Sequence, residues 1–298
     1  MKEPVTKMTS PVWSRFVRFI ADDGRTLAGE PVDGDVDVGL ELAAGRPVSA
    51  KVLDGTSALD DEAKFTGAVA TIKKLLSPIS AQEIGTIRCI GMNYKDHVKE
   101  MGCTTPQVPE VFMKPSTCLL DPCEPIVLPK SAPSAVDGEC ELAIVISKTC
   151  KNVPRAKALD YVLGYTLAND VTARDVQAGI SQWGYCKGYD SFLPLGPVLV
   201  SRQGMRAADA SDLDLKTTVG GKTLQDGSTR DLIFGVEEII EYISKGTTLP
   251  KGTVILTGTP AGIGHSHNPP LYLRPGVEVR LSISGGIGTL TNEVVAEA

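Results

Sequence analysis

The sequence has no apolar run of the length that a membrane-spanning helix needs, and it has no excess of basic residues. Its apolar stretches are far shorter than the roughly 18 residues required to cross a bilayer. The 36 acidic residues outnumber the 30 basic ones, which gives a net charge of −6 over 298 residues. Such a balance offers no electrostatic basis for binding nucleic acid or an anionic membrane. We therefore expect neither partner and look for a small-molecule substrate.

Cysteine pairs of the kind that bind zinc or exchange disulfides are also missing. The seven cysteines include no C-x-x-C pair and no zinc-finger spacing. Unpaired thiols are typical of a reducing compartment, and residues 1–20 lack the apolar core of a secretory signal. The sequence therefore predicts a cytoplasmic protein. A mitochondrial leader stays open, although Glu3 counts against it.

Histidine is scarce, which limits the possible acid–base and zinc chemistry. His97 precedes Glu100 by three residues, so on a helical turn the carboxylate can orient the imidazole and raise its basicity. The alternative is an ordinary surface pair. His265 and His267 lie in a proline-rich segment, and only one other histidine exists. For these two we expect a mobile loop rather than a zinc site.

Short apolar strands separated by glycine and proline turns dominate the chain and predict a β-rich α+β fold. We place a small β-rich N-terminal module at residues 1–80 and the main domain at residues 81–298. Within the module, we expect residues 1–10 to fray, residues 31–58 to form short strands with turns, and residues 60–75 to form a helix. The other predicted elements are helices over 155–163, 171–179 and 236–245, and a hairpin turn at Gly220–Gly221.

Two carboxylates stand at the start of an apolar run that is rich in β-branched residues and predicts a buried strand. Glu139 and Glu141 open a run that continues to Ile146, and their spacing of two directs both side chains to one face of the strand. Asp170 ends another apolar strand at a loop. Three carboxylates would form an all-oxygen site suited to Mg²⁺ or Mn²⁺ rather than zinc. The alternative is a set of solvated acids at an exposed edge.

Three further polar residues follow Asp170 and could complete such a site. Arg174 and Gln177 come four and seven residues later, on one face of a predicted helix, and Lys187 would add a cation. Each of the three is otherwise an ordinary solvated residue.

Six motifs, in order over roughly residues 80–295, make the sequence similar to the fumarylacetoacetate hydrolase family. The likeness is to its acylpyruvate hydrolase and oxaloacetate decarboxylase-like branch. One motif alone would be weak, but six at compatible spacing are specific. The segment Gly264–Pro270 departs from the connection that relatives often have, which bears on substrate size and loop closure. The six motifs are Gly91–Glu100, Val111–Pro115, Asp137–Leu142, Gly164–Asp175, Lys187–Pro197 and Leu256–Gly264.

The resemblance implies a mixed, barrel-like β-sheet roll for the main domain, and a homodimer. It implies one divalent cation per subunit, held by Glu139, Glu141 and Asp170. It also implies that His97 and Glu100 form a catalytic dyad on a loop that orders over the substrate.

The resemblance further implies that Arg174, Gln177 and Lys187 line the substrate site. Thr259 would bind a substrate carboxylate together with backbone N–H groups.

The chemistry of the family predicts hydrolysis of a C–C bond in a β-diketo acid of the acylpyruvate or fumarylpyruvate type. His97 would activate water, Lys187 and Gln177 would stabilise the oxyanion, and the cation would stabilise a pyruvate enolate. Three alternatives stay open. They are decarboxylation of oxaloacetate, hydration or isomerisation of an unsaturated 2-keto acid (in a biosynthetic pathway or not), and a non-catalytic metal-binding protein.

Overall fold

The computed structural model describes residues 10–132 and 134–298. The predicted fraying of residues 1–10 therefore lies outside the described residues, apart from Ser10. Strands predominate over helices, which confirms the β-rich α+β class. No helix among the described residues has both the length and the apolar character that crossing a bilayer requires.

The strands are β1 (Arg15–Ala21), β2 (Thr26–Pro31), β3 (Ser49–Leu53), β4 (Phe65–Leu76), β5 (Ile87–Gly91), β6 (Glu110–Lys114), β7 (Leu119–Leu120), β8 (Ile126–Leu128), β9 (Val136–Asp137), β10 (Cys140–Ile146), β11 (Cys150–Lys151), β12 (Val162–Asn169), β13 (Thr172–Ala173), β14 (Leu193–Ser201), β15 (Asp214–Val219), β16 (Lys222–Ser228), β17 (Thr248–Leu249), β18 (Val254–Leu256), β19 (Glu278–Ile283) and β20 (Gly288–Ala296). The α-helices are α1 (Val38–Ala43), α2 (Lys95–Glu100), α3 (Arg174–Ala178), α4 (Trp183–Cys186) and α5 (Val236–Ser244). The 3₁₀ turns are Ser116–Cys118, Arg155–Tyr161, Thr229–Asp231 and Gly264–Ser266.

One large mixed sheet forms the centre of the molecule. Among the described residues it has 11 strands, in the order β2-β3-β4-β1-β14-β12-β10-β18-β5-β6 with β7 beside β14. Its neighbours are antiparallel except for the pairs β18–β5 and β14–β7, which are parallel. Every residue of β10, β12 and β14 is buried, as expected for strands whose sequences are mostly apolar. A second sheet, in the order β16-β15-β19-β20-β8, has five strands in the described part of the chain.

The helix predicted over residues 60–75 is wrong, because this segment contains strand β4. β4 pairs with β1 on one side and with β3 on the other. Its β-branched residues suit a strand, and backbone pairing on both sides outweighs any local helical preference. Helix α1 lies within residues 31–58, where we expected only short strands and turns. The Asp37 side chain caps α1 by accepting the Leu40 N–H at 3.1 Å.

Other predicted elements agree with the structure. Gly220 and Gly221, with φ of 55° and 80°, form the two-residue turn between β15 and β16. α5 begins at Val236 as predicted and ends one residue early. The helix predicted over 155–163 is a 3₁₀ turn, and that over 171–179 is the shorter α3. β1 pairs with β14 of the main body, so the N-terminal strands share its sheet, and the boundary near residue 80 stays a prediction.

Candidate active site

Three buried carboxylates meet at the end of the strand pair β10–β12. In this antiparallel pair Cys140 lies opposite Asn169, so the preceding Glu139 and the following Asp170 are brought together. The Asp170 N–H donates to the Glu139 carbonyl at 2.9 Å. Carboxylate oxygens of Glu139, Glu141 and Asp170 all lie within 4.8 Å of one another. These three residues are 5%, 2% and 0% exposed, so their mutual repulsion is not relieved by water.

Two lysines partly neutralise this acidic cluster. The Lys187 Nζ lies 2.9 Å from Glu139 Oε2 and 2.7 Å from Asp170 Oδ2. The Lys114 Nζ donates to Asp170 Oδ1 at 2.6 Å and to the Phe192 carbonyl at 2.8 Å. Burial opposes ionisation of Glu139, but Lys187 and Arg174 outweigh it and lower the pKa of Glu139 to about 2. Burial, together with Asp170 and Glu139, raises the pKa of Glu141 well above its ordinary value.

Arg174 connects the cluster to a fourth acid. Its Nη2 lies 3.0 Å from Asp137 Oδ2 and 2.6 Å from Glu139 Oε1, while its Nη1 donates to Gln177 Oε1 at 3.1 Å. Burial opposes the charge on the guanidinium, but Glu139 and Asp137 raise the pKa of Arg174 overall. Asp137 also accepts the N–H groups of Gly264 and His265, at 3.0 and 2.9 Å. Arg174 is therefore held rigidly beside the cluster.

The donor set fits a hard divalent cation. Four carboxyl groups, those of Asp137, Glu139, Glu141 and Asp170, face three side-chain cations, so the acids outnumber the cations. Glu141 accepts the Gly258 N–H at 2.6 Å, and its pKa is raised by burial and by the acids beside it. All the candidate ligands are oxygens, which Mg²⁺ and Mn²⁺ prefer. Among the described residues, the potential ligands that converge are Glu139, Glu141 and Asp170. Asp137, His265 and His267 do not belong to this group.

The predicted histidine–carboxylate pair forms on helix α2. His97 Nδ1 lies 2.9 Å from Glu100 Oε2, and His97 is only 6% exposed. The other oxygen of Glu100 accepts the Gly262 N–H at 2.8 Å and the Ser266 hydroxyl. Burial alone would raise the pKa of Glu100, but hydrogen bonds from His97, Ser266 and Gly262 together lower it. Glu100 is thus an ionised carboxylate in a fixed orientation.

A cavity of about 240 Å³ joins the pair to the acidic cluster. Its walls include all of the residues predicted for the site except Glu100 and Asp170, which lie just behind the lining. The Thr259 hydroxyl donates to the Cys140 carbonyl at 2.9 Å and accepts a hydrogen bond from Gln225 at 2.7 Å. Its role in binding a substrate carboxylate stays a prediction. The predicted residues that line the cavity are His97, Glu139, Glu141, Arg174, Gln177, Lys187 and Thr259.

Three residues of this site were not assigned from the sequence. Lys114 and Asp137 lie within two of the six motifs, and each is at the end of a short strand whose direction the local pattern does not determine. Ser266 lies in the segment that departs from the family pattern. The sequence shows each of them only as a polar residue beside an apolar run, because the residues they contact are distant in sequence.

Comparison with known proteins identifies the family. Residues 86–295 match the family described as Fumarylacetoacetate (FAA) hydrolase C-terminal. The chain belongs to the fumarylacetoacetate hydrolase family. Caffeoylpyruvate hydrolase of Neonothopanus nambi is 41% identical over 294 residues, covering 97% of this chain and 95% of that protein. The predicted family is therefore confirmed.

Solved structures of the fumarylacetoacetate hydrolase family share the fold. A 2-hydroxyhepta-2,4-diene-1,7-dioate isomerase from Mycobacterium marinum has a TM-score of 0.77 and 36% identity, covering 96% of this chain and 99% of that one. The maleylpyruvate hydrolase of Sphingobium sp. SYK-6, in complex with manganese(II) and pyruvate, has a TM-score of 0.63 and 30% identity. It covers 79% of this chain and 77% of that one. The protein is thus an enzyme of a family whose members act on keto acids.

Proposed function

We propose that this enzyme hydrolyses the C–C bond of an acylpyruvate-type β-diketo acid to a carboxylic acid and pyruvate. The observation that carries the proposal is the placement of the His97–Glu100 pair and the three-carboxylate cluster around one cavity. A relative named caffeoylpyruvate hydrolase and a solved maleylpyruvate hydrolase holding pyruvate support this substrate class.

We propose that Glu139, Glu141 and Asp170 hold one Mg²⁺ or Mn²⁺ ion. Once bound, such a cation supplies Lewis-acid stabilisation of negative charge on the oxygens of the keto acid. The manganese in the maleylpyruvate hydrolase structure supports this assignment.

Residues of the chain carry out the proton transfer, the stabilisation of the oxyanion and the binding of the substrate. His97, oriented by Glu100, takes a proton from water, and the hydroxide adds to the distal carbonyl carbon. Lys187 has three N–H donors and uses two on Glu139 and Asp170, so one remains for the developing oxyanion, to which Gln177 also donates. The C–C bond then breaks, its electron pair passes to the three-carbon fragment, and a proton completes pyruvate. Arg174 binds the carboxylate end, and Thr259 exchanges its hydrogen bond to the Cys140 carbonyl for one to the same carboxylate.

Isomerisation of an unsaturated keto acid is the second candidate, because a structural neighbour is named as a dienedioate isomerase. Decarboxylation of oxaloacetate is a third. It releases CO₂ without attack by water, so it has no need for a base at His97. The tight hydrogen bonding of Glu100, which serves to orient a base, favours hydrolysis over decarboxylation.

The substitution His97→Ala tests the proposal. Hydrolysis of acetylpyruvate should fall by about 10² to 10⁴-fold, the usual contribution of a general base. Calorimetric binding of Mn²⁺ should persist, and any decarboxylation of oxaloacetate should fall much less. His265→Ala is the matched control, because that imidazole is exposed and contacts Tyr272. If His97→Ala hydrolysed acetylpyruvate at a rate within a few-fold of wild type, His97 would not be the general base, and the hydrolase assignment would lose its mechanism.

A further inference from the structure

The cavity changes in character from its inner to its outer end. The inner end consists of the buried charged groups of Glu139, Arg174 and Lys187. The outer end is half-exposed and is built from apolar and aromatic side chains, chiefly Met92, Met101, Phe112 and Trp183. A substrate whose acidic end lies against the charged groups must therefore direct its other end along an apolar wall.

Two aromatic rings dominate this wall and are fixed in place. The Phe112 ring lies 5.1 Å from Lys187 Nζ, and its centroid lies 5.5 Å from that of Trp183, edge to face. The Trp183 indole packs on the backbone of Gly91, where an added Cβ would come within 2.6 Å of the ring. A second cavity of about 170 Å³ also has Phe112 and Trp183 among its lining residues. The two rings thus form a fixed aromatic wall beside Lys187.

The charged side chain at the outer end of the cavity is negative. Glu110 lines both cavities there. No lysine or arginine among the described residues lines the outer end, because Arg174 and Lys187 are bound to acids at the inner end. A second carboxylate on the substrate would meet a like charge and an apolar surface, and would lose part of its hydration. An uncharged aryl or alkyl group would bury apolar area at no such cost.

Resting on the proposed function, we propose that this enzyme selects acylpyruvates whose acyl arm is uncharged and aromatic or apolar. Phe112 and Trp183 bind that arm, and Glu110 excludes dicarboxylic substrates. These three residues are specificity determinants, since none of them contacts the group that reacts.

The first test compares kcat/KM for benzoylpyruvate, succinylpyruvate and acetylpyruvate. Wild type should prefer benzoylpyruvate over succinylpyruvate by at least ~10-fold. Trp183→Ala should lose about 10- to 100-fold on benzoylpyruvate and stay within about 3-fold on acetylpyruvate, which is too short to reach the ring. Trp183→Phe should retain most of the benzoylpyruvate activity. An equal loss on both substrates would assign Trp183 to folding or catalysis and overturn its role in specificity.

The second test reverses the charge at the mouth. Glu110→Lys should raise kcat/KM for succinylpyruvate about 10-fold or more and leave acetylpyruvate within about 3-fold. Glu62→Lys, at an exposed acid of the N-terminal segment, is the control for net charge. Two results would overturn the proposal. One is a wild-type kcat/KM for succinylpyruvate equal to that for benzoylpyruvate, and the other is an unchanged kcat/KM for succinylpyruvate in Glu110→Lys.

A binding measurement separates this proposal from the hydrolase assignment. Calorimetry with Mg²⁺ present should give tighter binding of phenylpyruvate than of 2-oxoglutarate, with the difference reduced in Glu110→Lys. If the enzyme showed this binding preference but cleaved no acylpyruvate, the hydrolase assignment would be refuted and the proposed selectivity would stand. Cleavage of acylpyruvates with equal binding of the two acids would refute the selectivity and keep the reaction.

Discussion

The acids of the site differ in how the protein compensates their charge. Glu139 contacts both Lys187 and Arg174, and its pKa is lowered, whereas the pKa of Glu141 is raised. Asp170 is held between Lys114 and Lys187. Such an arrangement costs folding free energy, because buried charges lose hydration that ion pairs only partly replace. The cost is consistent with a site kept for binding a cation rather than for stability.

Asp170→Asn should abolish tight Mn²⁺ binding, with an affinity at least ~100-fold lower, because one of three anionic ligands is lost. The fold should survive, since the amide preserves the size of the side chain. Calorimetric titration with Mn²⁺ measures this. Asp175→Asn, at an exposed acid on α3, is the matched control. Wild-type affinity in Asp170→Asn would show that the ligands are misassigned.

Ser266→Ala should lower kcat roughly 10-fold, because Glu100 loses a charge-assisted hydrogen bond worth about 1.5 kcal/mol or more. KM should change little, since Ser266 does not line the cavity. Ser266→Thr keeps the hydroxyl and should restore most of the rate. Steady-state kinetics of the three enzymes decides the matter. Ser211→Ala removes a hydroxyl that donates to Asp209 at the surface and serves as control. Equal rates for the Ala and Thr variants would contradict the assignment.

At the level of elements, the structure follows the sequence where the signal is local. β10, the Gly220–Gly221 turn and α5 each carry their own pattern, and the spacing of His97 and Glu100 suffices to place that pair on α2. The strand register that joins Glu139 to Asp170 was predictable in outline, because both lie at strand ends. The site could be anticipated to this extent.

Other elements depend on partners far along the chain. β4 is a strand because β1 and β3 flank it, and no local pattern reports that pairing. Lys114 reaches Asp170 across 56 residues of sequence. The same holds for Ser266 and Glu100, which are 166 residues apart. Such contacts follow from the strand order of the main sheet, which local sequence patterns do not predict.

Glu83 joins two turns of the N-terminal segment and makes their attachment dependent on pH. It accepts the Ser57 hydroxyl, and the Ser80 hydroxyl and N–H at 2.6 and 3.0 Å. Burial raises its pKa, but the hydrogen bonds from Ser57 and Ser80 lower it overall from the ordinary 4.5. A lowered pKa in the folded state stabilises the protein above the unfolded pKa, and that stability is lost as the pH falls through the folded value.

The free energy of unfolding of wild type should therefore exceed that of Glu83→Gln at pH 7, by no more than about 1 kcal/mol because Glu83 is half-exposed. The difference should shrink as the pH falls below 4.5 and vanish once the pH is below the lowered pKa of the folded state. Urea denaturation between pH 7 and pH 3 measures it. Glu62→Gln, at an exposed acid, is the control. A gap between wild type and Glu83→Gln that widened toward acid would reverse the inferred sign.

For the molecule as a whole, the family predicts a homodimer. Light scattering at ~10 μM protein should give twice the 31.5 kDa mass of the chain. Dilution over two orders of magnitude should leave the mass unchanged if the interface has the area of an obligate dimer. A mass of 31.5 kDa throughout the series would refute the dimer. The proposals on the site would stand, since each of their residues belongs to one chain.

The position of β18 between β10 and β5 sets the order in which a newly made chain can become active. The acids adjoin β10, and His97 follows β5, so the two halves of the site meet only when β18 is inserted between these strands. β18 begins at Val254, more than 100 residues after the start of β10 and later still than β5, so it is made after both of them. Until then the Ala143–Val145 stretch of β10 is a free apolar edge of the kind that aggregates. Ribosomes that stall before Leu256 would therefore release chains needing a chaperone rather than partly active enzyme.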